Sequence, residues 1–135
     1  MNKRFAALVH YVIHTVDDPK RLGLTRLNKI MHYVDRYSFR KYGKPLTMES
    51  YVKRKNGPVP ATIMKTIEQL RANDLIAAQK RNYITYDRWD LLSLKAPNVS
   101  AFTDEQLRIV DEITEDISND FSANEISELS HDLIW

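Results

Sequence analysis

The sequence contains no cysteine and only three glycines among its 135 residues. Without cysteine the chain can form neither a disulfide framework nor a thiolate metal site, and it has no thiol nucleophile. The glycines Gly23, Gly43 and Gly57 stand far apart, so they cannot build the glycine-rich loop that cradles phosphates in Walker or Rossmann sites. We therefore expect a cytoplasmic protein without a cofactor of those classes.

Long apolar runs are also absent, since no stretch approaches the roughly 20 residues of a membrane span. Residues 1–11 mix charged and apolar side chains on a helical period, unlike the continuous apolar core of a signal peptide. We expect neither secretion nor a membrane partner. With 43% hydrophobic and 28% charged residues, the composition is that of a globular protein, and the length predicts a single domain over residues 1–135.

The charges are distributed unevenly along the chain. Residues 1–100 carry 19 Lys or Arg against 8 Asp or Glu, whereas residues 101–135 carry one basic residue, Arg108, against 10 acidic ones. The net charges of the two parts are therefore +11 and −9. This asymmetry indicates either a basic surface for an anionic partner or an acidic part that packs against a basic body.

Apolar residues at helical spacing predict three helices in the first half of the chain. The first should end near Asp17 because Pro19 disfavours further helix, and Thr25 is the expected cap of the second, which Gly43 should end. Pro60 suits the first turn of the third helix. The expected ranges are about 3–15, 25–42 and 60–73.

The rest of the pattern predicts a mainly α, α+β fold of about five helices with a small antiparallel β-hairpin. Residues 46–55 read as extended or irregular, and Asn56-Gly57-Pro58 is a turn signal. Residues 75–94 are rich in β-branched and aromatic side chains around Lys80-Arg81-Asn82, which predicts the hairpin with a basic tip. Two capping boxes, Thr103 with Gln106 and Ser122 with Glu125, predict two closing helices.

The sequence offers little for catalysis. His10 and His14 have the i, i+4 spacing of a two-histidine metal site, but Tyr11 stands where a helical metalloprotease has glutamate, and we interpret both as surface or boundary residues. Ser130, His131 and Asp132 are adjacent, so they cannot converge on one substrate atom as a triad does. We predict no catalytic residue, no metal site and no enzyme.

A winged-helix-like DNA-binding regulator is the alternative interpretation. Helices followed by a hairpin that carries Lys80 and Arg81 are compatible with such a fold. The net positive charge of residues 1–100 is compatible with it as well. The third helix, however, offers only Lys65 and Arg71 as bases, fewer than a recognition helix normally presents. Nucleic acid is therefore the second-ranked partner, after a protein.

Aromatic and arginine side chains are interleaved between the second helix and the hairpin. Some of the aromatic side chains must lie in the core. Tyrosine, tryptophan and arginine are, however, also the residues that anchor protein interfaces. The sequence alone leaves the division between the two roles open. The candidate partner-binding residues are Arg36, Tyr37, Arg40, Tyr51, Arg54, Arg88 and Trp89.

Four segments, in order, resemble a known family. The run Leu27-Asn28-Lys29-Ile30-Met31-His32-Tyr33 resembles the early-helix signature of the Panacea domain, also called the antitoxin SocA-like domain. Tyr42-Gly43-Lys44-Pro45-Leu46 and Asn56-Gly57-Pro58-Val59 are similar to its turns, and Leu129-Ser130-His131 with Trp135 is similar to its closing motif. The resemblance spans residues 24–135.

The resemblance implies an antitoxin that binds and neutralises a cognate toxin protein, commonly encoded beside it on phages, prophages or bacterial chromosomes. A protease or chaperone system is a further candidate partner, because blocking the toxin and delivering it for degradation both need only a binding surface. No catalytic residue comes with the resemblance. We expect mainly structural roles for its motif residues, which are Leu27, Lys29, Tyr33, Gly57, Pro58, Val59, His131 and Trp135.

Overall fold

The computed structural model describes residues 2–55, 57–82, 84 and 87–120. Within them the chain forms four helices and two separate two-stranded antiparallel sheets, β1–β2 and β3–β4. No helix in this part of the chain is both long enough and apolar enough to cross a membrane. The elements in order are α1 (Lys3–Val16), α2 (Gly23–Tyr42), β1 (Tyr51–Arg54), β2 (Gly57–Pro60), α3 (Ile63–Ala72), β3 (Ile76–Asn82), β4 (Asp87–Ser93) and α4 (Asp104–Asp120).

Helix α1 is the centre of the core. The Asn2 side chain caps it by accepting a hydrogen bond from the Phe5 N–H at 3.1 Å. The helix ends at Asp17, whose left-handed conformation lets its N–H donate to the Ile13 carbonyl, so the predicted end is confirmed. The core consists of fully buried side chains from α1, α2, α3 and both strands of the β3–β4 hairpin. They include Phe5, Leu8, Ile13, Leu27, Ile30, Met31, Ile67, Ile76 and Leu91.

Helices α2 and α4 run antiparallel. At the end of α2, Lys41 and Tyr42 contact Glu105 in the first turn of α4, at 3.0 and 2.7 Å. Just before α2, Arg21 donates to Asn119 at the far end of α4. The predicted capping box is confirmed, because Thr103 and Gln106 exchange hydrogen bonds between each backbone N–H and the other side chain.

Two predicted helix starts are wrong. Helix α2 begins at Gly23, two residues before Thr25, and Leu22 at its N-cap makes no side-chain hydrogen bond there. Pro60 lies at the end of β2, paired with Tyr51, and α3 begins only at Ile63. Of the two alternatives for residues 46–55, extended or irregular, the extended one is confirmed for Tyr51–Arg54, which form β1 and pair with β2 in a second hairpin that we did not predict.

The predicted hairpin is present as β3–β4, but its tip is not where we expected it. Lys80 and Arg81 lie within β3, and strand pairing continues to Asn82. Lys80 forms an ion pair with Asp87 at 3.3 Å, and Arg81 forms one with Asp90. Both ion pairs join β3 to β4 near the end of the hairpin. The second closing helix, predicted from Ser122, lies outside the described residues, which contain four helices and not about five.

A buried carboxylate joins α2 to the segment before β1. Asp35 is 4% exposed, and its Oδ1 accepts a hydrogen bond from the Thr47 N–H at 2.9 Å. Its Oδ2 accepts from the Thr47 and Tyr51 hydroxyls, each at 2.6 Å. The same Tyr51 hydroxyl lies 2.9 Å from the Met31 carbonyl oxygen. These contacts fix where the chain returns across α2 to begin the β1–β2 hairpin.

Replacing Asp35 by asparagine should lower the free energy of unfolding by about 2–3 kcal/mol, because an amide N–H2 would face buried donors and the charge-assisted hydrogen bonds would be lost. Urea unfolding followed by circular dichroism measures the change. Asp74→Asn is the matched control, since Asp74 is exposed and asparagine tolerates its positive φ of 59°. An Asp35→Asn variant as stable as this control would contradict the assigned role.

Candidate functional site

Helices α2 and α4 enclose an open groove of about 520 Å³, here called the α2–α4 groove. Four of its residues follow an i, i+3, i+4, i+7 spacing on α2, and three follow i, i+3, i+4 on α4, so each set forms one helix face. The lining residues are Tyr33, Arg36, Tyr37, Arg40, Ile113, Asp116 and Ile117.

The groove has an apolar floor and a basic, aromatic rim. Ile113 and Ile117 are partly buried against the core. Arg36 and Arg40 are exposed, and Tyr37 is 43% exposed. Asp116 is the one carboxylate among its described lining residues. Such a surface can bind an apolar segment that carries negative charge.

Exposed aromatic side chains continue along the outer side of α2. Phe39 is 60% exposed and Tyr42 is 44% exposed. The opposite side of the same helix is committed to the core through Ile30 and Val34, because α2 is covered on that side by α1 and by β4. A helix that leaves aromatic rings in water on one side is typical of an interaction surface.

The structure brings together three of the seven predicted partner-binding residues: Arg36, Tyr37 and Arg40. Tyr51 lies apart from them in the Asp35 network, where burial, then the charge and hydrogen bond of Asp35, raise the pKa of its hydroxyl. Its contacts are those of a structural residue.

The remaining three predicted residues lie on the two hairpins. Arg88 pairs with Asp90 within β4 at 2.9 Å, and Trp89 beside it packs against the core. Arg54, at the end of β1, faces a different cavity. The predicted set therefore does not form one continuous surface around the groove.

That second cavity lies between the first turns of α2 and the β1–β2 hairpin, and we call it the α2–β2 pocket. It holds about 260 Å³ and is lined by Thr25, Asn28, Lys29, Arg54, Lys55, Pro58 and Val59. Two sequence motifs singled out above meet here, because Lys29 comes from the first and Pro58 and Val59 come from the turn. Gly57, which precedes them, has a φ of 115° that favours glycine.

The other motif residues are divided. Leu27 is fully buried in the core and Tyr33 lines the groove, whereas His131 and Trp135 lie outside the described residues. The sequence analysis selected none of Ile113, Asp116 and Ile117 as binding residues, so it missed the α4 side of the groove. The i, i+4 spacing of Ile113 and Ile117 beside the acidic Asp116 was the available signal. The sequence alone does not show that α4 packs on α2 with this face toward the arginines.

The two helical histidines serve the packing of α1 on β4. His10 Nε2 and His14 Nδ1 each lie 3.1 Å from the Ser93 hydroxyl, and His10 Nε2 lies 2.9 Å from the Lys95 carbonyl oxygen. Burial lowers the pKa of His10. Across the described part of the chain, no three His, Cys, Asp or Glu side chains group as they would around a metal ion.

The Lys29 side chain is 2% exposed, and burial lowers its pKa from 10.5 to about 8. Between these two pKa values the unfolded chain binds a proton that the folded chain has released, so stability rises with pH there. Relative to a Lys29→Met variant, the wild type should therefore gain about 1–2 kcal/mol of unfolding free energy between pH 7 and 9.5.

Urea unfolding of both proteins across this pH range measures the difference. Lys53→Met, at an exposed position of β1, is the control, and its difference from the wild type should stay constant with pH. Parallel pH profiles for the wild type and Lys29→Met would mean that Lys29 titrates normally.

Comparison with known proteins identifies a family. Residues 27–135 match the family model described as antitoxin SocA-like, Panacea domain. No curated protein and no solved structure matches the chain. The match covers most of the sequence, including all of β1 to α4 and nearly all of α2. The chain therefore belongs to the antitoxin SocA-like family and carries a Panacea domain.

Proposed function

We propose that this protein is an antitoxin that neutralises a cognate toxin protein by binding it directly through the α2–α4 groove. The observation that carries the proposal is the gathering of Arg36, Tyr37 and Arg40 on one open face, above an apolar floor, in a member of an antitoxin family. Arginine and tyrosine are the residues that most often supply binding energy at protein interfaces. This role requires no catalytic residue and no cofactor.

The charge of the groove defines the partner's chemistry. The exposed Arg40 lies at the rim of the apolar floor, so the matching toxin segment is apolar with acidic side chains at its edges. An amphipathic helix or an extended segment fits a groove between two helices. We propose that residues 1–135 act as one domain in the cytoplasm, and that binding either blocks the toxin or delivers it to a protease or chaperone system.

The DNA-binding alternative has less support from the geometry. Lys80, Arg81 and Arg88 of the hairpin are paired with Asp87 and Asp90, so they are partly neutralised by their own sheet. On α3, Arg71 is paired with Glu68 at 2.6 Å, which leaves Lys65 as its other base. A winged helix that binds phosphates would need these charges for the nucleic acid.

Co-expression with the product of the adjacent gene tests the function. We expect the neighbour alone to inhibit growth, and the pair to grow and to co-purify as a complex. A toxin level that stays unchanged during rescue would agree with blocking, and a level that falls would indicate delivery to a protease instead. A harmless neighbour that does not co-purify would count against this pairing.

Charge reversal in the groove should weaken the complex. Arg40→Glu should reduce toxin affinity at least about tenfold and abolish growth rescue, because it would place like charges against the acidic toxin segment. Titration calorimetry with the purified toxin measures the affinity, and thermal melting checks that the variant is folded. Arg36→Glu should act in the same direction.

Lys65→Glu is the matched control, since it reverses an exposed charge on α3 away from the groove. Arg88→Glu shows how far the interface extends, because Arg88 lies on β4. Unchanged affinity in both groove variants would exclude this surface as the toxin interface.

A further inference from the structure

The α2–α4 groove carries charges of opposite sign at its two ends. Because α2 and α4 run antiparallel, Arg40 in the last turn of α2 lies at the end near Glu105. Asp116 lies toward the other end, a few residues before Asn119. Both side chains are exposed, and neither forms an ion pair with a described residue. Each charge is therefore accessible to a partner.

Glu105 lies at the Arg40 end of the groove but does not neutralise Arg40. Its carboxylate accepts hydrogen bonds from Tyr42 at 2.7 Å and from Lys41 at 3.0 Å, and these bonds lower its pKa. The carboxylate is therefore ionised and committed to those two donors. Since no described carboxylate pairs with Arg40, its charge favours an acidic side chain on the partner.

The walls of the groove favour a helical partner. On α4, Ile113 and Ile117 are one turn apart, and Tyr37 faces them from α2. A third helix with an apolar ridge at i, i+3, i+4 and i+7 packs between two such faces. The backbone N–H and C=O groups of both walls are hydrogen-bonded within their own helices, so an extended segment would find no backbone partner in the groove.

We infer that the α2–α4 groove accepts an amphipathic helix that is acidic at one end and basic at the other, and that Asp116 selects the basic end. The acidic end lies against Arg40, and the apolar ridge lies on Ile113 and Ile117. A helix that is acidic at both ends would place a like charge against Asp116 and is disfavoured. The inference rests on the proposed function in taking the toxin as the source of this helix.

Two synthetic peptides test the site on the full chain. Each has about 16 alanine-rich residues, long enough to form a helix, with leucine at i, i+3, i+4 and i+7. The mixed peptide carries glutamates in its first turn and lysines in its last turn, and the acidic peptide carries glutamates in both turns. Fluorescence anisotropy at low salt should show that the wild type binds the mixed peptide about threefold to tenfold more tightly, the size expected for exposed ion pairs.

Two groove variants should change this result in different ways. Asp116→Lys should reverse the preference, because its lysine attracts the glutamates that Asp116 repels. Arg40→Glu should weaken binding of both peptides at least about threefold, since each presents glutamates to Arg40. Circular dichroism checks that both variants are folded.

Glu115→Lys is the matched control for Asp116→Lys. Glu115 is exposed on α4 and does not line the groove, and its replacement changes the net charge by the same amount. The ratio of the two peptide affinities should stay within about twofold of the wild type in this control. A ratio that Glu115→Lys changes as strongly as Asp116→Lys would mean that net charge decides, and would overturn the inference.

Two further outcomes would also overturn it. One is equal affinity of the wild type for the two peptides, or no binding of either at about 1 mM. The other is a dimer of the free chain that the mixed peptide dissociates in sedimentation, which would identify a second copy of this chain as the occupant.

The inference and the proposed function can fail separately. Toxin binding that is lost in Arg40→Glu but kept in Asp116→Lys would retain the groove as the toxin interface and overturn the selection by Asp116. Peptide affinities that differ as expected, together with toxin affinity unchanged in Arg40→Glu and Arg36→Glu, would retain helix binding in the groove and overturn toxin binding there.

Discussion

The hydrogen bonds to the Asp35 carboxylate are the constraint on which the arrangement of the sites depends. An ionised carboxylate removed from water is costly unless polar partners replace its hydration, and here Thr47 and Tyr51 supply three hydrogen bonds. Both partners belong to the stretch that leaves α2 and returns across it to start β1. The carboxylate therefore fixes the β1–β2 hairpin against the early turns of α2, and this position creates the α2–β2 pocket.

Helix α2 then divides its surface among several partners. Ile30 and Val34 fill the core, Asp35 holds the hairpin, and the face that carries Tyr33 and Arg40 remains open beside α4. Lys29 precedes Tyr33 by four residues, so the pocket and the groove lie along neighbouring turns of one helix. A helix of 20 residues spans about 30 Å, which is long enough for both surfaces, and its rigidity fixes the distance between them.

Local signals in the sequence predicted local structure well. The end of α1 near Asp17, the capping box at Thr103 and the helical spacing of Arg36, Tyr37 and Arg40 all depend on residues close in the chain. The wrong start of α3 involves a distant partner. Pro60 satisfies the requirements of a helix start and of a strand end equally well, and only its pairing with Tyr51 decides between them. The hydrogen bond that the Tyr51 hydroxyl donates to Asp35, 16 positions earlier, likewise depends on the fold and could not be predicted from the residues around Tyr51.

The charge asymmetry of the sequence left two interpretations open, and each one applies to a different place in the structure. On α4, Glu105 faces Lys41 and Tyr42 of α2, and Asp111 accepts from the Tyr11 hydroxyl of α1 at 2.6 Å, so part of the acidic charge does pack against the basic body. This packing does not reach Arg54 and Lys55, which lie on the hairpin. Both interpretations therefore keep support, because part of α4 packs against basic residues while the groove and the pocket keep exposed basic side chains such as Arg40 and Arg54.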